Sequence, residues 1–546
     1  MLSRRAFLTG ATAGAALLAA EAASAEPLPT GAGGGSLLQD LMYRSLVPEL
    51  YATPPALPST SEVVIIGSGF GAAVTALRLV QAGVTVHMLE RGSRWPKPSP
   101  WRQTFSGDVI PDGRALWHRR KFTGANGIPL SMHSFGGVLD ATDYDHIQVW
   151  RGAAVGGGSI VFTGALVQPE RRFFDHVFSG TGVSYEELDR LYYPRALAML
   201  RGSTMPADVY GSAPFGHSRA WDKQARAAGY APQAIASSFR WDVIRSELRG
   251  TSRKSATIGE TNYGNSNGAK HDLTQNYLRE AEATGRLVIH PRHVVHAIGS
   301  DARGYWIDYS VVRPNGSEIR RTTARAGRLF LGAGSVGTSE LLVRARSTGA
   351  LANLSEHTGA GWGTNGDAAL VQKGSPSGGM SQAAPSASRI LDEGGDTPVS
   401  LENWYVPGMP INVPMIGSLG MALDDTRAAF RFDAEADRVV LDWPKNGNAG
   451  AIAALEATHR RVVAAAEVTP FFTPSADPAN AAFTAHPLGG AVLGKVTDTY
   501  GRVLGHPGLY VTDGAAIPGS TGTANPSLTI AALAERNVAA IIAARG

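Results

Sequence analysis

A short stretch near the start of the chain has the residue types and spacing that bind the pyrophosphate of a dinucleotide. The four β-branched residues Val63–Ile66 predict a buried strand, and a glycine-rich turn and a helical pattern follow it. Gly67 would allow the tight turn, Gly69 would let the backbone approach the phosphates, and Ala72 is small enough for the helix to pack closely on the strand. Glu90 ends the next predicted strand, where a ribose-binding acid belongs. The alternative, a glycine-rich turn in an unrelated α/β unit, does not explain this acid.

Three polar residues in the second half of the chain are candidates for proton chemistry. His486 lies in the loop sequence HPLGG, and a histidine can accept or share an alcohol proton near neutral pH, although most histidines are structural or exposed. Asn525 stands at a predicted helix start, where it could donate to a ligand or simply cap the helix. Glu402 has apolar and aromatic neighbours. Burial there would raise its pKa and suit it to carry a proton, but its residue type alone favours an exposed strand position.

Two further segments could border the same ligand. Residues 156–159 read Gly-Gly-Gly-Ser, and their bare backbone suits close packing against a flat ring or phosphate oxygens, although triple glycine is often only a flexible turn. Residues 509–514 form a predicted strand that ends in Asp-Gly. Pro526 follows Asn525 at a favoured first-turn position of the last helix.

Composition limits the remaining classes of function. The chain has 546 residues, 43% of them hydrophobic, which predicts two or more domains with a large core. It has no cysteine, which excludes disulfides, cysteine–metal sites and thiol nucleophiles. The formal net charge is only +4, and no long basic run or recognition motif indicates nucleic-acid binding. We predict no metal site and no nucleic-acid partner.

The N-terminus reads as a targeting segment. Arg4 and Arg5 form a twin-arginine pattern, an Ala/Leu-rich run follows, and residues 23–25 read Ala-Ser-Ala, a small-residue cleavage site. We expect residues 1–25 to be a signal peptide that exports the folded protein to the periplasm or the medium, and residues 26–58 to be a linker. A chance arginine pair is the alternative. The apolar run is too short for an ordinary membrane span, and no later segment qualifies.

The elements that would position these residues are helices and strands in mixed order. Helices are predicted at 37–47, 72–81, 185–200, 218–228, 273–283, 338–346, 449–467 and from 526 onward. Strands are predicted at 63–66, 84–90, 287–290, 292–298, 329–331 and 509–514, with a hairpin at 305–323 and an antiparallel sheet within 399–445. Residues 367–397 are polar and rich in Gly, Ser and Pro, which predicts loops. The fold class is α/β.

Taken together and in order, the motifs GSGFGAA, VGGGS, LFLGAGSVGTSELLVRA, HPLGG, LYVTDGAAIPGS and ANPSLTIAALAERN resemble the glucose–methanol–choline (GMC) flavin oxidoreductase family. Within it the chain resembles the branch of bacterial cholesterol oxidases that hold FAD without a covalent bond. The resemblance implies a Rossmann-like FAD-binding domain and a discontinuous α+β substrate domain built on an antiparallel sheet. The FAD-binding parts would be 59–170, with a lid at 95–135, then 255–370 and 484–546; the substrate parts would be 171–254 and 371–483.

The resemblance also implies roles for particular residues. His486 would handle the alcohol proton, Asn525 would contact the flavin or the substrate oxygen, and Glu402 would move a proton from C4 to C6 of a steroid. The implied FAD contacts are Gly67, Gly69, Phe70, Gly71, Glu90, Gly156, Gly157, Gly158, Ser159, Val294, Asp513, Gly514, Asn525 and Pro526.

The expected reaction is oxidation of a 3β-hydroxysterol to the 3-ketone by O₂, with release of H₂O₂ and isomerisation to the 4-en-3-one. The alternatives are a related alcohol oxidase or dehydrogenase for another bulky alcohol or a quinone-type acceptor, a non-catalytic sterol-binding flavoprotein, and a nicotinamide enzyme, which the C-terminal motifs disfavour. The expected partners are a sterol and O₂, and the expected state is a monomer. Transient contact with a membrane surface is left open.

Three departures from the family pattern bear on substrate and cofactor. Phe162 and Ala165 stand where the resembled enzymes have Asn and Met near the flavin, which affects redox tuning. The segment 117–136 is shorter than the matching lid, which affects the entry route. Ser400 replaces a bulky residue two positions before Glu402, which affects oxygen access.

Overall fold

The computed structural model describes residues 37–123, 129–374, 378–379, 381–408, 411–466, 475–478 and 483–544. The predicted signal peptide, residues 1–25, and the first part of the predicted linker lie outside the described residues. The predicted helix at 37–47 is confirmed as Leu37–Leu46.

A seven-stranded sheet carries the dinucleotide motif. Its strands run in the spatial order Leu287–Pro291, Val86–Glu90, Thr60–Ile66, Glu318–Leu331, Gly304–Val312 and His293–Asp301, and Leu509–Val511 also pairs with Glu318–Leu331. The strands around Thr60–Ile66 are parallel, as the Rossmann-like interpretation requires. The sheet is covered on both faces, which explains why the central strand is an unbroken apolar run.

Helices on the two faces of this sheet bury alternate residues of its central strand. Val63 and Ile65 pack towards the helices Phe70–Gln81 and Pro526–Ala543. Val64 and Ile66 pack towards the helix Gly334–Ser347. The predicted strand–turn–helix unit and the predicted helix after residue 334 are therefore confirmed.

One strand is longer than the sequence pattern suggested. The second strand of the predicted hairpin and the strand predicted at 329–331 are a single element, Glu318–Leu331. Its first half pairs antiparallel with Gly304–Val312, and its second half pairs parallel with Thr60–Ile66. The middle of this strand consists of small and basic residues, so the hydrophobicity pattern does not indicate that the two halves form one strand.

A six-stranded antiparallel sheet forms the second large unit. Its spatial order is Ser475–Pro478, Asp367–Lys373, Met415–Ala422, Val399–Trp404, Ser388–Asp392 and Gln233–Ala234. Antiparallel strands within 399–445 are confirmed, but they belong to two sheets: Val399–Trp404 and Met415–Ala422 lie in this one, whereas Ala428–Asp433 and Arg438–Leu441 pair in a separate three-stranded sheet. The prediction of loops throughout 367–397 was wrong, because Asp367–Lys373 and Ser388–Asp392 are sheet strands. Polar residues lie on these strands but are buried by cross-strand neighbours and by the helix Ala449–Ala464, so their composition resembles that of a loop.

The remaining elements are shorter. Further helices are Arg171–Val177, Tyr185–Glu187, Tyr193–Met199, Ala207–Tyr210, Gly216–Ala227, Trp241–Leu248 and Tyr277–Ala283. Further strands are Lys121–Thr123, Pro129–Ser131, Leu139–Tyr144, Ile147–Gly152, Ala165–Leu166, Ser203–Thr204, Ala236–Ser237, Ala360–Trp362, Ala428–Asp433, Arg438–Leu441 and Phe483–Thr484. Across the described ranges, no helix combines the length and apolar character needed to span a bilayer.

Candidate active site

A cavity of about 670 Å³ runs from the carboxyl ends of the parallel strands to the face of the antiparallel sheet. At one end it is lined by Gly67, Gly69 and Glu90, and at the other by His486 and Asn525. The dinucleotide motif and the candidate proton-handling residues, which lie far apart in the sequence, thus share one space.

The three glycines of the first turn are required for different reasons. Gly67 has a φ of +96°, and a Cβ there would lie 2.0 Å from the carbonyl oxygen of Gly332. A Cβ at Gly71 would lie 1.6 Å from the carbonyl oxygen of Thr512, so this glycine allows the helix to approach the neighbouring strand end. A Cβ at Gly69 would meet nothing within 4 Å. Gly69 is therefore the position where the backbone is open to a ligand in the cavity.

Glu90 lies at the end of its strand with its carboxylate buried. Oε2 accepts a hydrogen bond from Ser68 Oγ at 2.6 Å, and Oε1 accepts one from the Gly92 N–H at 2.8 Å. Burial raises the pKa of Glu90, while these two hydrogen bonds act in the opposite direction. The carboxylate is held rigidly beside the turn, as a ribose-binding acid must be.

The second glycine segment packs directly on the first. A Cβ at Gly157 would lie 2.6 Å from Gly69 Cα, whereas a Cβ at Gly158 would meet nothing within 4 Å. Gly157 and Gly158 line the cavity. Gly156 and Ser159 are not among the lining residues, and the Ser159 hydroxyl instead donates to the Gly156 carbonyl at 2.7 Å. The segment therefore presents two of its four predicted residues to the cavity.

The other predicted cofactor residues line the same cavity; they are Phe70, Val294, Asp513, Gly514 and Pro526. The Asp513 carboxylate accepts hydrogen bonds from the Gly334 N–H at 2.8 Å and from Thr338 Oγ1 at 2.6 Å. Burial raises the pKa of Asp513 to about 6. Asp513 thus ties its strand end to the N-terminus of the helix Gly334–Ser347.

His486 lines the cavity and lies against a buried carboxylate. Its Nδ1 is 3.2 Å from Asp367 Oδ2, and the Asp367 side chain is wholly buried. Asp367 Oδ2 also accepts the Ala485 N–H at 3.0 Å, and the His486 N–H donates to Thr484 Oγ1 at 2.9 Å. Asp367, the first residue of the strand Asp367–Lys373, therefore orients both the ring of His486 and the loop that carries it. Sequence reasoning missed Asp367 because it lay in the segment predicted as loops.

Asn525 occupies the N-cap position of the helix Pro526–Ala543, yet its side chain makes no capping hydrogen bond. Its Oδ1 is buried and has no hydrogen-bond partner among the described residues. The capping alternative does not account for this side chain. The helix N-terminus beside it also favours negative charge in the cavity.

Glu402 is fully buried in the strand Val399–Trp404, so the exposed alternative is wrong. It shares a sheet face with Trp404 and Leu419, which line the cavity, but Glu402 itself is not a lining residue. Burial raises its pKa to about 7, and the charges of His486 and Arg389 and the amide of Asn525 act in the opposite direction. The structure thus places Glu402 where both predicted catalytic partners act on its charge.

The wall of the cavity near His486 is apolar. Trp150, Trp404, Leu419 and Phe483 line it, and the rings of Trp150 and Phe483 are 5.0 Å apart. On the other side Phe162 lines the cavity and packs edge-on against Phe70 at 5.4 Å. Such walls suit a bulky hydrophobic molecule whose one polar group meets the histidine.

These features fit FAD. The open backbone at Gly69 and Gly158 leaves room for a pyrophosphate and a flat ring, and Glu90 is placed for a ribose. The unpartnered Oδ1 of Asn525 and the helix N-terminus stand at the opposite end, where a flavin ring would lie.

Comparison with known proteins agrees with this geometry. The N- and C-terminal family models described as GMC oxidoreductase match residues 130–359 and 431–534. The chain belongs to the GMC oxidoreductase family. Members of this family are FAD-binding flavoproteins, so the protein is an FAD-dependent alcohol oxidoreductase, as the resemblance predicted.

Individual GMC relatives are distant. A cholesterol oxidase of Mycobacterium tuberculosis is 29% identical over 551 residues, which is 87% of this chain and 90% of that protein. A cholesterol oxidase of Acinetobacter baumannii is 25% identical over 87% of this chain and 93% of its own length.

Solved structures share the GMC fold. A fungal aryl-alcohol oxidase has a TM-score of 0.61 at 13% identity, covering 90% of this chain and 100% of that chain. A pyridoxine 4-oxidase from Mesorbium loti has a TM-score of 0.56 at 15% identity, covering 88% and 99%. The predicted fold class is thereby confirmed.

Proposed function

We propose that this GMC oxidoreductase oxidises a 3β-hydroxysterol to the 3-ketone with O₂ as acceptor, and then isomerises the 5-en-3-one to the 4-en-3-one. The secondary alcohol loses a proton from oxygen and a hydride from carbon, and O₂ is reduced to H₂O₂. In the second step one proton leaves C4, the double bond moves, and one proton returns at C6.

The residues that line the cavity would hold FAD, which would supply the acceptor for the hydride of the alcohol carbon. His486 would take the hydroxyl proton through Nε2, because Nδ1 lies against Asp367. Asn525 would orient the substrate oxygen or the flavin edge with its side-chain amide, whose buried Oδ1 has no partner among the described residues. The apolar wall would hold the steroid rings and exclude water from the reacting carbon.

The placement of Glu402 is the observation that carries the sterol proposal. Removal of an alcohol proton needs one base, and His486 supplies it. A second, fully buried carboxyl group beside His486 and Asn525, with a pKa raised to about 7, suits a group that accepts and returns a proton on an apolar substrate. The similarity to two cholesterol oxidases over 87% of the chain supports the same substrate class.

The direct test is to incubate the purified holoenzyme with cholesterol in air, measure peroxide and identify the steroid product. We expect peroxide and the conjugated 4-en-3-one. Oxidation without peroxide, rescued by an added quinone, would replace O₂ by another acceptor. No oxidation of any 3β-hydroxysterol, together with turnover of other bulky alcohols, would refute the sterol assignment.

The role of Glu402 has its own test. Glu402→Gln keeps the shape of the side chain but removes the base, so the unconjugated 5-en-3-one should accumulate while peroxide formation continues. Glu247→Gln makes the same change at another buried carboxyl group, on the helix Trp241–Leu248 and away from the cavity lining, and is the matched control. Unchanged isomerisation in Glu402→Gln would remove this residue from the mechanism.

We also propose export by the twin-arginine route, which the paired residues Arg4 and Arg5 support. Replacing both by lysine should retain the enzyme in the cytoplasm of a bacterial host, as measured by fractionation and peroxide assay. Unchanged export of this variant would contradict the proposal.

A further inference from the structure

A buried arginine stands beside Glu402. Arg389 lies in the strand Ser388–Asp392, directly opposite Glu402 in the neighbouring antiparallel strand. Directly opposite residues point to the same face of a sheet, with Cβ atoms about 5 Å apart. Arg389 is only 6% exposed and Glu402 is fully buried, so the two charges face each other away from water.

The guanidinium of Arg389 uses only part of its hydrogen-bonding capacity in the described part of the chain. Its Nη2 donates to Glu170 Oε1 at 3.3 Å, and Glu170 is partly exposed. Its Nη1 is buried and, among the described residues, has no acceptor. Both carboxylate oxygens of Glu402 are likewise buried, and in the described part of the chain neither has a hydrogen bond of ordinary geometry, although the nearby Asn525 amide lowers the pKa of Glu402. Arg389 therefore contacts one acid, Glu170, and acts electrostatically on a second, Glu402, which lies opposite it in the sheet.

Few other charges act on Glu402. The groups that face it from the surrounding elements are Arg389 on the neighbouring strand, His486 on the HPLGG loop, and the Asn525 amide at the helix start. On its own strand end, the Tyr405 hydroxyl also interacts with it electrostatically. Arg389 is the one permanent cation in this set, because arginine stays protonated at all relevant pH values whereas histidine does not.

We propose that Arg389 is a positioning residue for isomerisation: its fixed positive charge keeps Glu402 ionised, and therefore basic, within an apolar sheet face. This role rests on the proposed sterol function. A carboxyl group must be ionised to take the C4 proton, and full burial opposes ionisation. Without a permanent cation beside it, Glu402 would remain protonated and the 5-en-3-one would leave unisomerised.

The size of the effect follows from the charge pair. An opposite charge within about 4–6 Å lowers a carboxyl pKa by about 1–3 pH units. Loss of the Arg389 charge should therefore move the pH midpoint of isomerisation upward by about one unit or more. With a starting pKa of about 7 for Glu402, a rise of about one unit would reduce the ionised fraction at pH 7 about fivefold.

The test separates the two reactions in the holoenzyme. Isomerisation is measured by adding cholest-5-en-3-one directly and following the ultraviolet absorption of the conjugated product, and oxidation is measured as peroxide from cholesterol. Arg389→Met removes the charge and Arg389→Lys retains it. Arg389→Gln provides a second neutral variant that can still donate to Glu170, in case the methionine variant does not fold. Glu170→Gln removes the outer acid alone.

We expect both neutral variants to isomerise the 5-en-3-one at least about fivefold more slowly at pH 7, and we expect this rate to recover at high pH. Their oxidation rate should fall less than their isomerisation rate. Arg389→Lys and Glu170→Gln should keep the midpoint of the wild-type enzyme. An unchanged pH midpoint of isomerisation in the neutral variants, or an isomerisation rate reduced by the same factor at every pH, would overturn the role of Arg389. A wild-type enzyme that oxidises sterols but does not isomerise the added 5-en-3-one would instead refute the proposed isomerisation.

Discussion

Replacing Asp367 by asparagine should slow alcohol oxidation while leaving the fold intact. The substitution keeps the size of the side chain and an oxygen that can still accept the Ala485 N–H. It removes the negative charge that lies 3.2 Å from Nδ1 of His486. In our mechanism the ring gains a proton as the alcohol is oxidised, so the carboxylate interacts more strongly with the ring in the transition state than before it.

The magnitude follows from the burial of this contact. An opposite charge within about 4–6 Å shifts the pKa of a titrating group by about 1–3 pH units, and one unit corresponds to about 1.4 kcal/mol. The Asp367 side chain has no exposure to water, so solvent does not screen the change. A loss of about 1–2 kcal/mol in the transition state corresponds to a rate about 5- to 30-fold lower.

Anaerobic single-turnover mixing with the substrate alcohol is the appropriate assay, because flavin bleaching reports oxidation without the oxygen step. Asp222→Asn is the matched control. Asp222 is also buried, but it accepts hydrogen bonds from Tyr210 and Ser388 and does not line the cavity. Flavin reduction within twofold of wild type in Asp367→Asn, at equal thermal stability, would refute the proposed orientation of His486.

Three other outcomes follow from the same structure. Asn525→Ala should slow flavin reduction without lowering the free energy of unfolding, because the side chain makes no capping hydrogen bond. A loss of about 1 kcal/mol in the free energy of unfolding, the usual cost of a lost helix cap, would contradict this. Gly71→Ala should destabilise the protein by about 1–3 kcal/mol through its clash with Thr512, whereas Gly69→Ala should fold normally and weaken FAD binding, as thermal melts and flavin titrations would show. Because burial raises the pKa of Glu402 from 4.5 to about 7, its folded state holds a proton that the unfolded state releases, and stability falls as pH rises through this range. The glutamine variant does not titrate. The free energy of unfolding of Glu402→Gln minus that of the wild type should therefore rise by up to about 3 kcal/mol between pH 4 and pH 8, as denaturant melts at both pH values would show.

Local signals predicted the cofactor half of the site well. The strand Thr60–Ile66, its turn and its helix are encoded within a few residues, so hydrophobicity, glycine spacing and a terminal acid identify them together. The pattern also predicted the antiparallel strands from residue 399 onward. Apolar and polar residues alternate along these strands because one face of the sheet is buried and the other is less apolar. This alternation can be seen in a single sequence.

The supporting residues of the substrate half were not predictable in this way. Asp367 and Arg389 lie in strands whose polar residues resemble a loop, because their burial depends on neighbours that are distant in the sequence. The role of Glu402 was predicted only through a resemblance, and no local pattern indicates that it lies opposite Arg389 in the neighbouring strand. Cross-strand register decides such pairings, and a single sequence does not reveal register.

The topology of the seven-stranded sheet explains why C-terminal residues meet the first turn. Ile66 pairs with Leu331, and Leu331 pairs with Val511, so the carboxyl ends of three parallel strands lie side by side. The residues just beyond those ends include Gly67 and Asp513, and both line the cavity. Ligands bind at the carboxyl ends of parallel strands, where helix N-termini also converge. The strand Leu509–Val511, near the C-terminal end of the chain, therefore completes a site whose first residues lie near the N-terminal end. A substitution that shifts this strand should weaken FAD binding more than it changes the alcohol pocket.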